Sequence, residues 1–86
     1  MNVIRTEKFI SDFMRLPGNC KKLVIKQLEY LNENPRHPSL HTKRIQGSNG
    51  IFEIRINKSV RLTFHLEPNT LVLRRVGPHD ETLKRP

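Results

Sequence analysis

Two arginines, Arg55 and Arg61, are predicted to face each other on neighbouring strands of a sheet. Apolar and polar residues alternate along both segments, as they do in half-buried strands. Matching the apolar faces fixes the register, which pairs Ile56 with Val60, Ile54 with Leu62 and Phe52 with Phe64. Like charges directly opposite each other cost up to roughly 1 kcal/mol. A bound anion would offset this cost, because guanidinium groups grip phosphate bidentately; alternatively, the two side chains splay into solvent or pair with Glu53.

More basic residues follow on the next segment, which ends at a histidine. Residues 71–76 are predicted to form a third strand that carries Arg74 and Arg75. Apolar residues occupy both parities of this segment, which indicates a strand covered on both faces or a bulge near the two arginines. The pattern leaves open which arginine shares a face with Arg61. Since proline has no amide hydrogen, Gly77-Pro78 is predicted to end the strand and to leave His79 at the mouth of the sheet.

Two amphipathic helices are predicted to precede these strands. Thr6 is the expected N-cap of the first helix, whose apolar stripe is Phe9, Ile10, Phe13 and Met14. Asn19 is the expected N-cap of the second helix, which ends before Pro35. The stripe of the second helix is Cys20, Leu23, Val24, Leu28 and Leu31. The short connection through Pro17-Gly18 indicates an antiparallel helix hairpin.

These elements predict an α+β fold. A short N-terminal strand at Val3 and Ile4 precedes the antiparallel helix hairpin. The hairpin is expected to pack on one face of a small sheet that ends in a three-strand antiparallel meander. The 86 residues are expected to form one domain, residues 1–86, with a modest core. A core of this size favours a shallow site or an open groove.

The segment between the second helix and the first arginine strand is predicted to be a basic loop. Its sequence is PRHPSLHTKRIQGSNG. His37 and His41 have the spacing of a helical metal pair, but Pro38 lies between them and a third ligand is missing, so we expect no metal site. Lys43 and Arg44 are ordinary solvated charges unless the loop folds over the mouth of the sheet, where both would join a phosphate site.

The charge balance favours a polyanionic partner. Sixteen Lys and Arg against eight Asp and Glu give a net charge of +8 and a pI near 10.4, which is typical of nucleic-acid binding proteins. A generally soluble basic protein is the alternative. Cys20 is the only cysteine, which excludes an internal disulfide. The sequence lacks an apolar signal peptide core and a membrane-spanning run, so we expect a cytoplasmic protein without a membrane partner.

The order of these elements resembles that of the RelE/ParE toxin superfamily, and the resemblance covers nearly the whole chain. The stretches that carry it are the loop HPSLHTKRIQG, the strands GIFEIRIN and SVRLTF, and the terminal RRVGPHDETL. The resemblance is nearest to the YafQ-like and RelE-like branch. It implies the toxin of a type II toxin–antitoxin system, with a cognate antitoxin as partner. Members of this branch cut mRNA, mostly on the ribosome and without a metal or other cofactor.

The resemblance also implies roles for individual residues. Arg61 matches an arginine that stabilises the scissile phosphate, and His79 lies where YafQ-like and YoeB-like members have a catalytic histidine. Arg55 and Glu53 occupy strand positions that supply a basic and an acidic residue in several nucleases. Leu83 replaces the Tyr or Phe that several relatives stack on a base, a departure that bears on nucleotide positioning.

The chemistry of metal-free RNA cleavage fits these residue types. A base takes the 2′-OH proton, cations hold the charge on phosphorus, and an acid protonates the 5′-oxygen leaving group. Histidine suits the acid because its ordinary pKa is near neutrality, so His79 is the expected acid. Glu53 is the expected base with His41 in reserve, and Arg61 with Arg55 or Arg75 would hold the phosphate.

Two alternatives remain open from the sequence. ParE-like members of the superfamily inhibit DNA gyrase and lack the catalytic set, and a toxin of this fold without nuclease activity is a related possibility. The joint presence of Arg61 and His79 favours the nuclease. The other alternative is a plain RNA-binding module, which the small number of exposed aromatic side chains disfavours.

Overall fold

A mixed sheet of five strands lies at the centre of the protein. The computed structural model describes all residues from Met1 to Pro86. In chain order the strands are β1 (Asn2–Arg5), β2 (Lys43–Arg44), β3 (Phe52–Arg55), β4 (Val60–Glu67) and β5 (Thr70–Pro78). Their order across the sheet is β1-β5-β4-β3-β2, with β1 parallel to β5 and the other neighbours antiparallel. The predicted N-terminal strand and three-strand meander are confirmed.

The hairpin of β3 and β4 has the register that the apolar alternation predicted. Arg55 pairs with Arg61, and the neighbouring pairs are Ile54 with Leu62 and Phe52 with Phe64. Beyond the end of β3, the Ile56 amide donates a hydrogen bond of 3.0 Å to the Val60 carbonyl. This hydrogen bond closes the loop of residues 57–59 at the predicted position.

Strand β5 contains a β-bulge at the two adjacent arginines. Arg75 pairs with Thr63 of β4, and Arg74 is the extra residue before the pairing resumes. The bulge shifts the alternation of side chains and explains why apolar residues occupy both parities of the strand. Val72, on the parity opposite to the core, is also buried, so the strand is covered on both faces as well. It runs to Pro78, two residues past its predicted end.

The helices flank this sheet. They are α1 (Glu7–Met14), α2 (Gly18–Glu33), α3 (His79–Lys84) and a short 3₁₀ helix, Pro38–Leu40. Thr6 caps α1 as predicted, because its side-chain oxygen accepts a hydrogen bond of 3.2 Å from the Phe9 amide. The prediction that Asn19 caps α2 is wrong: Pro17 holds the cap position and Gly18 is the first helical residue. Proline is tolerated there because the start of a helix leaves amides without intrahelical partners.

Two elements differ from the sequence prediction. The segment before β3 is not only a loop, since it contains the 3₁₀ helix and the two-residue strand β2, which pairs with β3. Helix α3 was not predicted at all, because the six residues HDETLK are too few to show a helical apolar period. Both elements lie beside the candidate site and affect its shape.

Helices α1 and α2 each bury part of their apolar stripe against the sheet, and Leu23 of the predicted α2 stripe is exposed. The 13 residues of the core cluster are Phe9, Cys20, Val24, Leu31, Leu40, Ile54, Ile56, Val60, Leu62, Phe64, Leu71, Leu73 and Val76. The predicted stripe of α1 is only partly buried, because Ile10 and Met14 are 47% and 67% exposed and line an open groove beside α2. No helix in the structure combines the length and apolar character that crossing a bilayer requires.

Asp12 connects α1 to β5 just beyond the bulge. Strand β1 pairs with β5 only as far as Leu73, and Asp12 Oδ2 accepts a hydrogen bond of 3.2 Å from the Val76 amide farther along β5. The same carboxylate accepts hydrogen bonds from Arg75 Nε at 2.6 Å and Nη2 at 3.2 Å. This hydrogen bonding raises the pKa of Arg75 above its usual value; burial opposes the shift, while attraction to Asp12 and Glu81 adds to it.

Replacing Asp12 by alanine should destabilise the protein. The change leaves a half-buried guanidinium and a strand amide without their acceptor, and hydrogen bonds to charged groups contribute about 1.5–3 kcal/mol. We expect Asp12→Ala to lower the free energy of unfolding in urea by about 2 kcal/mol. Asp12→Asn, which keeps an oxygen acceptor, should lose less. Equal losses for the two variants would contradict a role for this hydrogen bonding.

Candidate functional site

The polar face of the sheet gathers four of the side chains singled out by the sequence. Residues paired across antiparallel strands share a face, as do residues two apart on one strand. Arg55 and Arg61 are paired, and Glu53 lies two residues before Arg55. Lys43 of β2 is paired with Glu53 and therefore lies on the same face. Arg44 is paired with a core-facing residue and lies on the opposite face, away from this site.

Arg61 is held tightly by the hairpin loop. Its Nη1 donates hydrogen bonds to the carbonyl oxygens of Asn57 at 2.8 Å, Val60 at 3.2 Å and Lys58 at 3.3 Å. The residue is only 8% exposed, which the sequence did not indicate for an arginine on a polar face. Its Nη2 makes no hydrogen bond within the chain. The guanidinium is therefore fixed on one side and has donors left on the other.

The two opposed arginines avoid each other by pointing to different partners. Arg61 turns to the loop carbonyls, and its Nε lies 3.8 Å from Glu53 Oε1, a loose ion pair. Arg55 is exposed, and its side chain has no hydrogen bond or ion pair within the chain. One arginine is thus part of the structure, while the other is free to bind an anion.

His79 lies at the same hairpin loop as Arg61. Its backbone amide donates a hydrogen bond of 2.7 Å to the Ser59 carbonyl. Its half-exposed imidazole places Nδ1 2.9 Å from Asp80 Oδ1. A carboxylate accepts, so Nδ1 carries a proton and Nε2 is the ring atom left to exchange a proton with a ligand. The Arg61 guanidinium and the His79 backbone amide therefore both contact one hairpin loop at one end of the sheet.

Helix α3 is brought onto this face by close packing at Gly77. Gly77 is paired with Arg61, so it faces the polar side of the sheet. A Cβ added at Gly77 would lie 3.2 Å from the hydroxyl oxygen of Thr82, which is buried in α3. Because glycine has no side chain, α3 can approach the strand closely. His79 is the first residue of this helix, so the close packing also fixes its position relative to the sheet.

Other predicted site residues lie elsewhere. Arg74 donates a hydrogen bond of 3.0 Å to the Pro86 carbonyl and contacts His65 Nδ1 at 2.9 Å, while Arg75 is engaged by the carboxylate of α1 described above. Neither arginine contacts Arg61. His41, in a left-handed conformation with φ 48°, lines a separate depression beside the 3₁₀ helix. The structure thus separates these three residues from Arg61 and His79.

Two polar residues that position the site were missed by the sequence analysis. Asn57 Oδ1 accepts hydrogen bonds from the amides of Ser59 at 2.9 Å and Val60 at 2.8 Å, which shapes the hairpin loop. Its signal was available, because asparagine commonly bonds to a backbone amide two residues on. Gln27 of α2 is buried, and its Nε2 donates a hydrogen bond of 2.9 Å to the Arg55 carbonyl. A polar residue inside an apolar stripe was the signal there.

Burial and stacking engage Cys20 and His37, two further side chains of reactive type. Burial raises the pKa of the Cys20 thiol, which favours the neutral form over the nucleophilic thiolate. His37 stacks on Tyr30 with ring centroids 4.0 Å apart. No group of three or more His, Cys, Asp or Glu side chains is placed to hold a metal ion.

Comparison with known proteins assigns this fold to a class. No protein-family model and no curated protein sequence matches the chain. Among solved structures, it is similar to YafQ from Escherichia coli strain BL21(DE3), with a TM-score of 0.80, 16% identity and coverage of 94% of this chain and 96% of that one. A metal-bound toxin from Helicobacter pylori gives a TM-score of 0.80 at 26% identity, covering 94% and 97%. A chain of the RelB–RelE antitoxin–toxin complex from Methanococcus jannaschii gives 0.76 at 22%, covering 94% and 95%.

These similarities extend over nearly the full length of each chain. The protein has the fold of the RelE/ParE toxin superfamily. The resemblance identified in the sequence is therefore confirmed at the level of the fold.

The two opposed arginines should differ sharply in their effect on stability. Arg61→Ala removes the donor that serves the loop carbonyls, so we expect it to lower the free energy of unfolding by about 2 kcal/mol. Arg55→Ala removes an exposed side chain without a partner and should change stability by less than about 0.5 kcal/mol. Urea denaturation of both variants measures this contrast. Similar losses for the two would contradict the structural role of Arg61.

Proposed function

We propose that this protein is the toxin of a type II toxin–antitoxin system and acts as a metal-independent endoribonuclease on mRNA. The observation that carries the proposal is the meeting of Arg61 and His79 at one hairpin loop, where Ser59 accepts from the His79 amide and Asn57 accepts from Arg61. The unpartnered Arg55 lies on the same face of the sheet. The toxin fold supports the proposal at the level of the class.

Each residue of the proposed site has its own role in the reaction. Glu53 takes the proton from a ribose 2′-OH, and the resulting oxyanion attacks the adjacent phosphorus. Arg55 and the free Nη2 of Arg61 hold the charge that develops on the phosphoryl oxygens. His79 gives its Nε2 proton to the 5′-oxygen as the P–O bond breaks. The products are a 2′,3′-cyclic phosphate and a 5′-hydroxyl, and DNA is spared because it lacks the attacking hydroxyl.

The fixed position of Arg61 suits this role. A donor contributes most to catalysis when it does not have to reorganise as charge develops. The loop carbonyls hold Nη1 of Arg61, and the residue is only 8% exposed, so the remaining donors act in surroundings with little water. Arg55, which is exposed, completes the grip once a phosphate is bound.

The ribosome is the proposed place of action. The position where several relatives carry an aromatic residue for base stacking is Leu83, which is partly buried on α3. A site without a stacking platform near His79 has little means of fixing the bent sugar-phosphate conformation that in-line attack requires. Messenger RNA already held in the ribosome would arrive with its conformation constrained. This placement implies a cytoplasmic protein.

A cognate antitoxin is the proposed protein partner. A structural neighbour was solved as a RelB–RelE antitoxin–toxin complex. The net charge of +8 on this chain favours an acidic partner, because opposite charge speeds association and improves specificity. An antitoxin carboxylate placed against Arg55 would occupy the position of the scissile phosphate and block cleavage.

Removing the acid or the free arginine should slow cleavage strongly without unfolding the protein. We expect His79→Ala and Arg55→Ala each to lower the cleavage rate by on the order of 100-fold, because each removes one group that stabilises the transition state. The measurement is primer extension on mRNA in a translating extract, with assignment of 5′-hydroxyl ends. Arg61→Lys, which keeps a donor for the loop carbonyls, tests the phosphate grip in a folded protein.

His41→Ala is the matched control, because it also removes a histidine but one that lies away from the hairpin loop. It should cut at the wild-type rate. A 2′-deoxy substitution at the cleaved nucleotide should block cutting. Wild-type cleavage by His79→Ala would refute the proposed acid, and intact mRNA together with inhibited gyrase on supercoiled DNA would move the function to the ParE-like class.

A further inference from the structure

A second basic depression lies beside the bulge of β5. It has a volume of about 410 Å³, and four cationic side chains line it: Lys8, Arg74, Arg75 and Arg85. These come from three separate parts of the chain, namely α1, the bulge and the segment after α3. None of the residues of the proposed catalytic site lines this depression. It is therefore a distinct feature of the surface.

The bulge is what places two of these cations in the same depression. In a regular strand, neighbouring side chains point to opposite faces, whereas a bulge sets two residues against one on the partner strand. Here Arg74 and Arg75 together oppose Thr63. Arg74 is then fixed by hydrogen bonds to the Pro86 carbonyl and His65 Nδ1. Its Nη2 has no partner within the chain.

Two of the four cations in the depression are exposed and have no ion pair within the chain, namely Lys8 and Arg85. Arg75 forms the ion pair with Asp12, and Glu81 also attracts its guanidinium. Arg74 donates from Nε to the Pro86 oxygen and keeps Nη2 free. Convergent cations of this kind favour an anion, and guanidinium groups favour phosphate geometry.

The register of β4 and β5 gives the distance along the sheet between this depression and the hairpin loop. Arg75 is paired with Thr63, while Gly77, two residues farther along β5, is paired with Arg61. Two residues along a strand correspond to about 7 Å. Helix α3 packs over Gly77 and covers the sheet between the two places, where Thr63 and Thr82 are buried. An RNA strand with one phosphate at Arg61 would therefore pass around α3 to reach the depression.

We propose that Lys8, Arg74 and Arg85 form a second phosphate-binding site, which holds the RNA backbone on the other side of α3 from the phosphate that is cleaved. The inference rests on the proposed ribonuclease function for the identity of the polyanion. The catalytic residues hold the reacting phosphate, and this site fixes the direction in which the RNA strand leaves them. Loss of the site weakens binding of RNA and leaves the proton-transfer groups intact.

The test measures RNA binding separately from cleavage. The His79→Ala protein binds a fluorescent single-stranded RNA that it cannot cut, and anisotropy titrations at several salt concentrations give the salt dependence of the affinity. Lys8→Glu and Arg85→Glu are introduced singly into this background. Each should weaken binding, and each should reduce the slope of log K against log salt by about 0.7, the contribution of one phosphate contact on a single strand.

Lys22→Glu is the matched control, because it makes the same charge change at an exposed position of α2. It should reduce affinity less and leave the slope nearly unchanged. Equal effects of all three substitutions would mean that net charge alone drives binding and would overturn the site. Circular dichroism confirms that the variants are folded.

Inorganic phosphate is the second probe. If phosphate alone shifts the NMR signals of the Arg74 side chain while Lys8→Glu leaves RNA binding unchanged, the depression binds a small anion and the RNA inference is overturned. Cleavage assays on the wild-type protein decide the proposed function independently. A protein that binds RNA through these residues but does not cut it would retain this inference and lose the other.

Discussion

The tight turn between β3 and β4 is the constraint on which the candidate site depends. Its backbone carbonyls point inwards, where they receive both the guanidinium of Arg61 and the amide of His79. Two groups that are 18 positions apart in sequence, at 61 and 79, are thereby fixed relative to one short loop. Asn57 in turn holds the loop by accepting two amide hydrogen bonds. The geometry of the site follows from backbone polar groups that have to be satisfied.

The alternation of apolar and polar residues along the strands was the most informative pattern in the sequence. It predicted the β3–β4 register residue by residue, because a shift by one position would have exposed the whole apolar face. It therefore also predicted the opposition of Arg55 and Arg61. The same rule could not resolve β5, because a bulge breaks the period of two on which the rule rests. The mixed pattern was itself the sign of that bulge.

Other features of the structure could not be predicted from local sequence patterns. Helix α3 and strand β2 are too short to show a period, and both are held by contacts with the sheet. The burial of Arg61 depends on three carbonyl oxygens converging in space, which spacing in sequence does not reveal. The start of α2 shows that capping preference alone does not fix where a helix begins. The helix starts at Gly18, although Asn19 is the more favourable capping residue. Propensity is a weak prior where chain direction and packing decide.

The parallel pairing of β1 with β5 bears on how the protein is made. Asn2 is aligned with Thr70, so the earliest strand of the chain finds its only sheet neighbour near the opposite end. Contacts this distant in sequence form slowly, because a long segment must first be ordered. During synthesis β1 therefore has no sheet partner until the residues of β5 have left the exit tunnel. Until then, the backbone amides and carbonyls of β1 stay exposed to solvent and to other unpaired strands.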